Sequence, residues 1–388
     1  MMRIRSGDPS VLRRLNLAAM LRAVYEGGPQ TVTEIATATG LSRPTCEEGV
    51  SELLVQGRIV EAPPSDPANR APGRPAKRYA FNAAAGRVLG VDIGAHKALA
   101  ITADLAGHVT SEHRVRLDPD LALTDRLAAI RQAVQACLAA DSASGEPDLF
   151  AAVVGSPGVI DAEGRVVLCN AMPDWAGVNL SAEFARVLED VGVKTDGPVR
   201  AENDMGMAAL AEQWRGVAKG VGAVVYIHAG HRLGAGVLID GKPYRGHHGA
   251  AGEIGTLKLL DWENSYRRLG RYTPASTSGD FAMRVFTDAH NGIQAAAELV
   301  DRFAFDLATG VAAMAMTIDP ALVVVGGGIS RAGEAITEPV RRHLADLCLF
   351  PPRVEASALG EESVALGAVR AALLHVEQRL FNPASAAG

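Results

Sequence analysis

A strand-and-glycine-turn pattern that occurs twice constrains this chain more than any other feature. Val88-Leu89-Gly90-Val91-Asp92-Ile93-Gly94 reads as a buried strand running into a glycine turn. Alternating Ala98, Ala100 and Thr102 predict a second strand, a turn near 104–107 leads to a third, and residues 123–140 read as a helix with Leu127, Ile130, Val134 and Leu138 on one side. A further strand at 151–154 ends at Gly155-Ser156-Pro157-Gly158. The order then restarts, with strands at 221–228 and 235–238, helices over about 279–316, and a buried strand at 322–325 that ends at Gly326-Gly327-Gly328. Two similar α/β halves with a cleft between them are expected. The chain has 388 residues, 48% hydrophobic and 21% charged, enough for two or three domains with ample core.

The first 82 residues follow a different rule. Leu17, Met20, Leu21 and Val24 form one apolar helical stripe that ends at Gly27-Gly28-Pro29. Thr31 followed by Glu34 is a capping box for a second helix with Ile35 and Ala36 inside, and Thr39-Gly40-Leu41 makes the turn. Ser42 caps a third helix, Pro44 is tolerated in its first turn, and Cys46, Val50, Leu53 and Leu54 form its buried stripe. This is a helix-turn-helix layout, which offers side chains at the start of its second helix to the major groove. Two short strands, around 58–61 and 77–81, enclose a Pro- and Asp-rich loop and make a wing. Arg70, Arg74, Lys77 and Arg78 lie in or beside it, placed to reach phosphates or the minor groove. The expected DNA contacts are Ser42, Arg43, Pro44, Thr45, Arg74, Lys77 and Arg78, with Arg43 and Thr45 reading bases. Glu47 and Glu48 weigh against this face, because carboxylates repel phosphates; a small helical docking domain is the alternative. Residues 1–80 carry eleven Lys/Arg against eight Asp/Glu, a net +3 within a chain of formal charge −6, which leaves −9 elsewhere. A basic head on an acidic body favours nucleic acid at one end only.

In order, Val91-Asp92-Ile93-Gly94, Ser156-Pro157-Gly158-Val159-Ile160-Asp161, Glu202-Asn203-Asp204, Gly249-Ala250-Ala251-Gly252-Glu253-Ile254-Gly255 and Val325-Gly326-Gly327-Gly328-Ile329 resemble the motifs of ROK proteins. That family comprises sugar kinases and sugar-responsive repressors with an actin-like ATPase fold. The head, with Thr39-Gly40-Leu41-Ser42 and Gly73-Arg74-Pro75, is similar to the repressors' DNA-binding module. The resemblance implies an α/β chain: a winged helix-turn-helix (1–82), then two lobes of a ROK domain (83–204 and 205–388).

The resemblance also implies roles. The aspartate matching Asp204 is the kinase base, the asparagine matching Asn203 binds sugar, and the glutamate matching Glu253 holds further hydroxyls. Gly158 and His248 complete the expected ligand set. The alternatives are that Asn203 and Asp204 only cap the helix that follows, and that His248 is a loop histidine paired with backbone. Phosphate handling departs from the family. Ala95-His96 stand where kinases carry a small residue and a threonine, and Gly230-His231-Arg232 replaces Gly-Thr-Gly. Bulky side chains there obstruct the approach of backbone amides to phosphate. Thr256 replaces a zinc-ligating histidine, and no cysteine lies between Cys169 and Cys348, so neither zinc nor any cofactor is expected. Asp261, Glu263 and Asn264 lie in the rearranged segment.

The reading is a transcriptional regulator, a repressor, without catalysis. Its partners are a near-palindromic operator, a sugar or sugar-derivative effector and further copies of itself, as homodimer or homotetramer. Two alternatives stand: a sugar kinase with an attached DNA-binding head, and a regulator that has lost sugar binding. No apolar run reaches ~18 residues, so no membrane span and a cytoplasmic location are expected.

Overall fold

The computed structural model describes residues 9–63, 76–141, 149–230, 232–273 and 281–382. Arg70, Gly73, Arg74, Pro75 and His231 lie outside them.

The head is built from α1 (Pro9–Gly27), β1 (Gln30–Thr31), α2 (Val32–Thr39), α3 (Arg43–Val55), β2 (Ile59–Ala62) and β3 (Arg78–Phe81). Its strands form an antiparallel sheet in the order β1-β3-β2. The capping box at Thr31 and Glu34 is present, and Gly40 ends α2 in the left-handed conformation. Met20, Leu21, Val24, Ile35, Cys46, Val50, Leu53 and Ile59 close one core. Leu54, expected inside, is 37% exposed, because the core needs only the stripe carrying Cys46, Val50 and Leu53.

The repeat expected from the sequence is a repeat of topology. The first sheet, order β10-β7-β4-β5-β6, uses β4 (Arg87–Ile93), β5 (Lys97–Asp104), β6 (Val109–Arg116), β7 (Leu149–Ser156) and β10 (Val199–Asn203). The second, order β13-β12-β11-β14-β15, uses β11 (Val224–Ala229), β12 (Leu233–Ile239), β13 (Lys242–Pro243), β14 (Leu322–Gly326) and β15 (Arg353–Ala356). Each has an antiparallel meander of three strands, with two parallel strands on the other side of the first. Helix α4 (Leu123–Asp141) covers the first sheet and α9 (Gln294–Ile318) the second. The small hairpin of β8 (Val159–Ile160) and β9 (Val166–Leu168) projects from the first half.

Between the sheets lie α6 (Asp204–Arg215) and α11 (Ser363–Phe381), in a core shared by both halves. Here the expected boundary at 204/205 does not follow the packing. Helix α11, from the far end of the chain, lies directly on the first sheet. A Cβ on Gly90 of β4 would stand 2.5 Å from the Ala365 carbonyl, and one on Gly155 of β7 would stand 2.6 Å from Val364. Which distant strands the helix 363–381 covers is set by tertiary packing and not by its local sequence.

The last turn of α11 returns to the head. The ring of Phe381 lies 5.1 Å from that of Tyr25 of α1, tilted by 44°, Tyr25 meets Phe81 edge-on at 5.0 Å, and its hydroxyl donates to Glu377 at 3.3 Å. No helix among the described residues is long and apolar enough to cross a membrane.

Candidate functional site

Strand β12 is the platform of the cleft. A Cβ on Gly236 would stand 2.3 Å from the carbonyl of Met205, so only glycine lets the start of α6 settle there. On the same strand, the Ala235 carbonyl lies 2.4 Å from where Gly252 would carry a Cβ, and the Leu233 carbonyl 2.9 Å from that of Gly255. Gly252 has φ +92°, a conformation an L side chain strains to adopt. These approaches bring Asp204, at the start of α6, and Glu253, in the 3₁₀ turn Glu253–Thr256, to one place.

Asn203 and Asp204 do cap α6, and the cap leaves them at the cleft. Asn203 Oδ1 accepts from Gly206 N at 3.1 Å while its Nδ2 donates to the Gly158 carbonyl at 3.0 Å. Asp204 Oδ1 accepts from Met205 N at 2.9 Å. Gly158, at φ +108°, lies against the Leu168 carbonyl and Cys169. The expected residues Gly158, Asn203, Asp204 and Glu253 therefore converge. His248 is exposed and meets His247 edge-on at 4.4 Å, in the loop leading to Gly249.

Burial pushes the Asp204 carboxyl up from 3.8 to about 7, helped by the charges of Asp92 and Glu253 and opposed by the Met205 amide. Burial also raises Glu253 and Asp92, the latter against the pull of Lys97, whose ammonium pairs with it at 3.1 Å. An acid raised on folding favours the folded state only while protonated. Stability from Asp204 is thus present below about pH 3.8 and lost as pH rises through about 7. The full shift corresponds to ~4 kcal/mol; partial contact with water reduces it to ~2 kcal/mol. Asp204→Asn keeps the capping acceptor and removes the charge. It is expected to raise the thermal midpoint by roughly 2–4 °C at pH 8 and to leave it unchanged near pH 4; equal shifts at both pH values would contradict the assignment.

Two arginines that sequence reasoning missed hold the cleft. Arg126, 2% exposed, donates to the carbonyls of Gly94, Ala95, Asp118 and Pro119 and so fixes the turn after β4. Arg245, after β13, crosses to the first half, donating to Glu202 at 3.1 Å and to the carbonyls of Ile160 and Asp161 at 3.1 and 2.7 Å. A Cβ on Gly249 would stand 2.1 Å from the Ile160 carbonyl, so the same loop touches the opposite half twice. An arginine in a helix's first turn and one between loop glycines carry no pattern that announces these roles.

His228 of β11 lies between two glycine turns. Its Nε2 lies 2.9 Å from a Cβ on Gly230, and its Cε1 lies 3.0 Å from one on Gly327. In the rearranged segment, Asp261 pairs with Arg268 at 2.8 Å and accepts from Asn264, and Glu263 pairs with Arg267. Thr256 is exposed and bonded to the Glu253 carbonyl. No three His, Cys, Asp or Glu side chains among the described residues are grouped so that they could hold a metal ion.

In the head, Ser42 caps α3 by accepting from Thr45 N, and its hydroxyl lies 2.8 Å from that of Thr45. Arg43 and Pro44 are exposed, and Arg43 pairs with Glu47 at 2.9 Å along the outer face. Lys77 pairs with Glu61 across the wing at 2.7 Å. Arg78 points inward, to the Pro29 carbonyl and Glu34 at the start of α2.

Along nearly its whole length the chain is similar to the xylose repressor of Caldicellulosiruptor bescii, 24% identical over 94% of this chain and 96% of the repressor. The glucokinase of Streptomyces coelicolor is 28% identical over 66% of this chain and 86% of the enzyme. Among solved structures, a ROK family transcriptional regulator homologous to the E. coli MLC protein superposes with a TM-score of 0.70, at 18% identity over 95% of this chain and 97% of the other. A Streptomyces griseus glucokinase in complex with glucose and AMPPNP gives 0.56 at 26% identity, over 74% and 99%. The profile of the ROK family matches residues 88–375. The chain belongs to the ROK family.

Proposed function

We propose that the chain is a DNA-binding transcriptional regulator, a repressor, whose cleft binds a sugar or sugar derivative and no longer transfers phosphate. One observation carries this reading: a continuous packed path from cleft to head. Helix α6 begins at the capping pair Asn203 and Asp204 and lies against α11 so closely that a Cβ on Gly367 would stand 1.8 Å from the Met207 carbonyl. Helix α11 ends at Phe381, whose ring packs against Tyr25 of α1. A ligand that moves the start of α6 moves the seat of the head. That is allostery only insofar as ligand and operator favour different positions of these helices. The similarity to repressors over nearly the full length supports the same reading.

Against turnover stand the imidazole of His228 between the two glycine turns and the bulk of His96 and Arg232, where family kinases present a threonine and a glycine. Asp204, pushed up to about 7, favours the kinase reading, since a base works best near the ambient pH, and so does the similarity to glucokinases.

On DNA, Arg43 and Pro44 stand at the exposed start of α3, with Ser42 and Thr45 holding that turn and Lys77 serving the wing; Arg74, outside the described residues, is a further proposed contact. Arg78 supports α2 rather than touching phosphate. The regulator acts as a dimer or tetramer, with two heads on half-sites separated by whole helical turns. Selection from a pool of random duplexes tests this: the full chain is expected to enrich a dyad-symmetric motif. An unenriched pool, with ADP released from ATP and a hexose, would overturn the reading in favour of the kinase.

A further inference from the structure

At the cleft stands a cation, Arg232, without a partner among the described residues. Arg232 closes the turn between β11 and β12, one residue before Leu233, whose carbonyl faces Gly255 beside Glu253. Gly234, next on the strand, lies against the Met205 side chain, 3.4 Å from where it would carry a Cβ. The root of Arg232 is thus where the Asp204 and Glu253 turns meet. Its side chain is exposed, and among the described residues it makes no hydrogen bond or ion pair. This contrasts with Lys97 and Arg245, which are tied to Asp92 and Glu202 across or beside the same cleft. Burial pushes up the Cys169 thiol, which lies beside Gly158, and the charges of Asp204 and Arg232 act on it in opposite directions.

Resting on the sugar-binding reading above, we propose that Arg232 selects an anionic effector, a polyhydroxylated molecule bearing one phosphate or carboxylate group. Asn203 and Glu253 take its hydroxyls and Arg232 pairs with its charge. A planar guanidinium with five donors suits either anion in bidentate fashion. The neighbouring carboxylates do not forbid this, because Asp92 is neutralised by Lys97, and burial holds Asp204 and Glu253 toward their uncharged forms. A kinase needs a small residue in this turn so that backbone approaches nucleotide phosphate. A sensor of an anion gains from the arginine.

The test uses the full chain in thermal shift and calorimetric titrations with matched sets. Glucose, galactose, xylose and N-acetylglucosamine are each compared with their phosphate esters, and glucose and galactose also with their uronates. Inorganic phosphate and acetate serve as bare anions. The expected result is that one charged member binds at least ~10-fold tighter than its neutral parent. Arg232→Gln should erase that ratio and leave the melting temperature of the free protein unchanged. A preference for the ester or for the uronate identifies the anion. Equal binding of charged and neutral partners, or a ratio that survives Arg232→Gln, overturns the proposal while the sugar site stands. Stabilisation by inorganic phosphate alone, equal to that by any ester, reduces it to an adventitious ion and also overturns it. Failure of every set overturns both the proposal and the sugar-binding reading.

Discussion

Gly367→Ala destabilises the protein, although the substitution lies inside a helix. Propensity alone favours alanine over glycine by about 1 kcal/mol at a helical position. Position 367 reverses the sign, because a Cβ would stand 1.8 Å from the Met207 carbonyl oxygen and 2.4 Å from its carbon, both backbone atoms. No side-chain rotation relieves that contact. Helices α6 and α11 must separate, and forced overpacking costs about 1–3 kcal/mol or more, so a net loss of about 2 kcal/mol is expected. Gly222→Ala is the control, since a Cβ there meets nothing within 4 Å. Thermal melts of the two variants decide the matter; a Gly367→Ala variant as stable as the parent would mean that the helices are not in this contact in solution. The variant should also respond less to ligand, because the path from Asp204 to Phe381 runs through this crossing.

Trp262→Ala has the larger expected cost. Trp262 opens α7 (Trp262–Leu269), is 2% exposed, and packs against α9 where Gly310 leaves room: a Cβ on Gly310 would stand 2.2 Å from Cζ2. Its Nε1 donates to the Asp306 carbonyl at 2.9 Å, and the Asp306 carboxylate gathers Ser265, Arg268 and Arg302. In a segment where family members place zinc, an indole and one buried carboxylate hold the chain to the second half. Removing a buried tryptophan costs about 3–5 kcal/mol, while Trp262→Phe should recover most of it. A melt shifted by no more than 1 °C in the alanine variant would show that the segment is anchored elsewhere.

Much of this arrangement is legible in the sequence because it is local. The capping pair Thr31 and Glu34, the Ser42 cap and the glycine turns at Gly94, Gly158 and Gly326 each follow from a residue type at a fixed offset. The convergence of Asn203, Asp204, Glu253 and Gly158 rests on the order of motifs that ROK proteins share. What was not legible depends on distant partners. Nothing local in 363–381 states that the helix covers β4 and β7 and ends on the head. Arg245 is an ordinary loop arginine until Glu202 and the Ile160 carbonyl are brought opposite it. Arg78 reads as a wing cation, yet α2 presents it with the Pro29 carbonyl and Glu34, partners it reaches without DNA. The two-residue strand β1 was missed because its pairing with β3 is set by the head's tertiary packing, not by any alternation of its own.

The most direct test of the central claim, that the head is a sequence-reading module serving a sensor, is footprinting of the full chain on DNA upstream of its own gene at moderate salt. The account predicts protection of one dyad-symmetric site, with Arg43→Ala weakening binding about 5- to 100-fold through loss of a side chain that, among the described residues, pairs only with Glu47. Weak binding that vanishes with salt, protects no discrete site and is indifferent to Arg43→Ala would contradict it and leave the head as a docking domain.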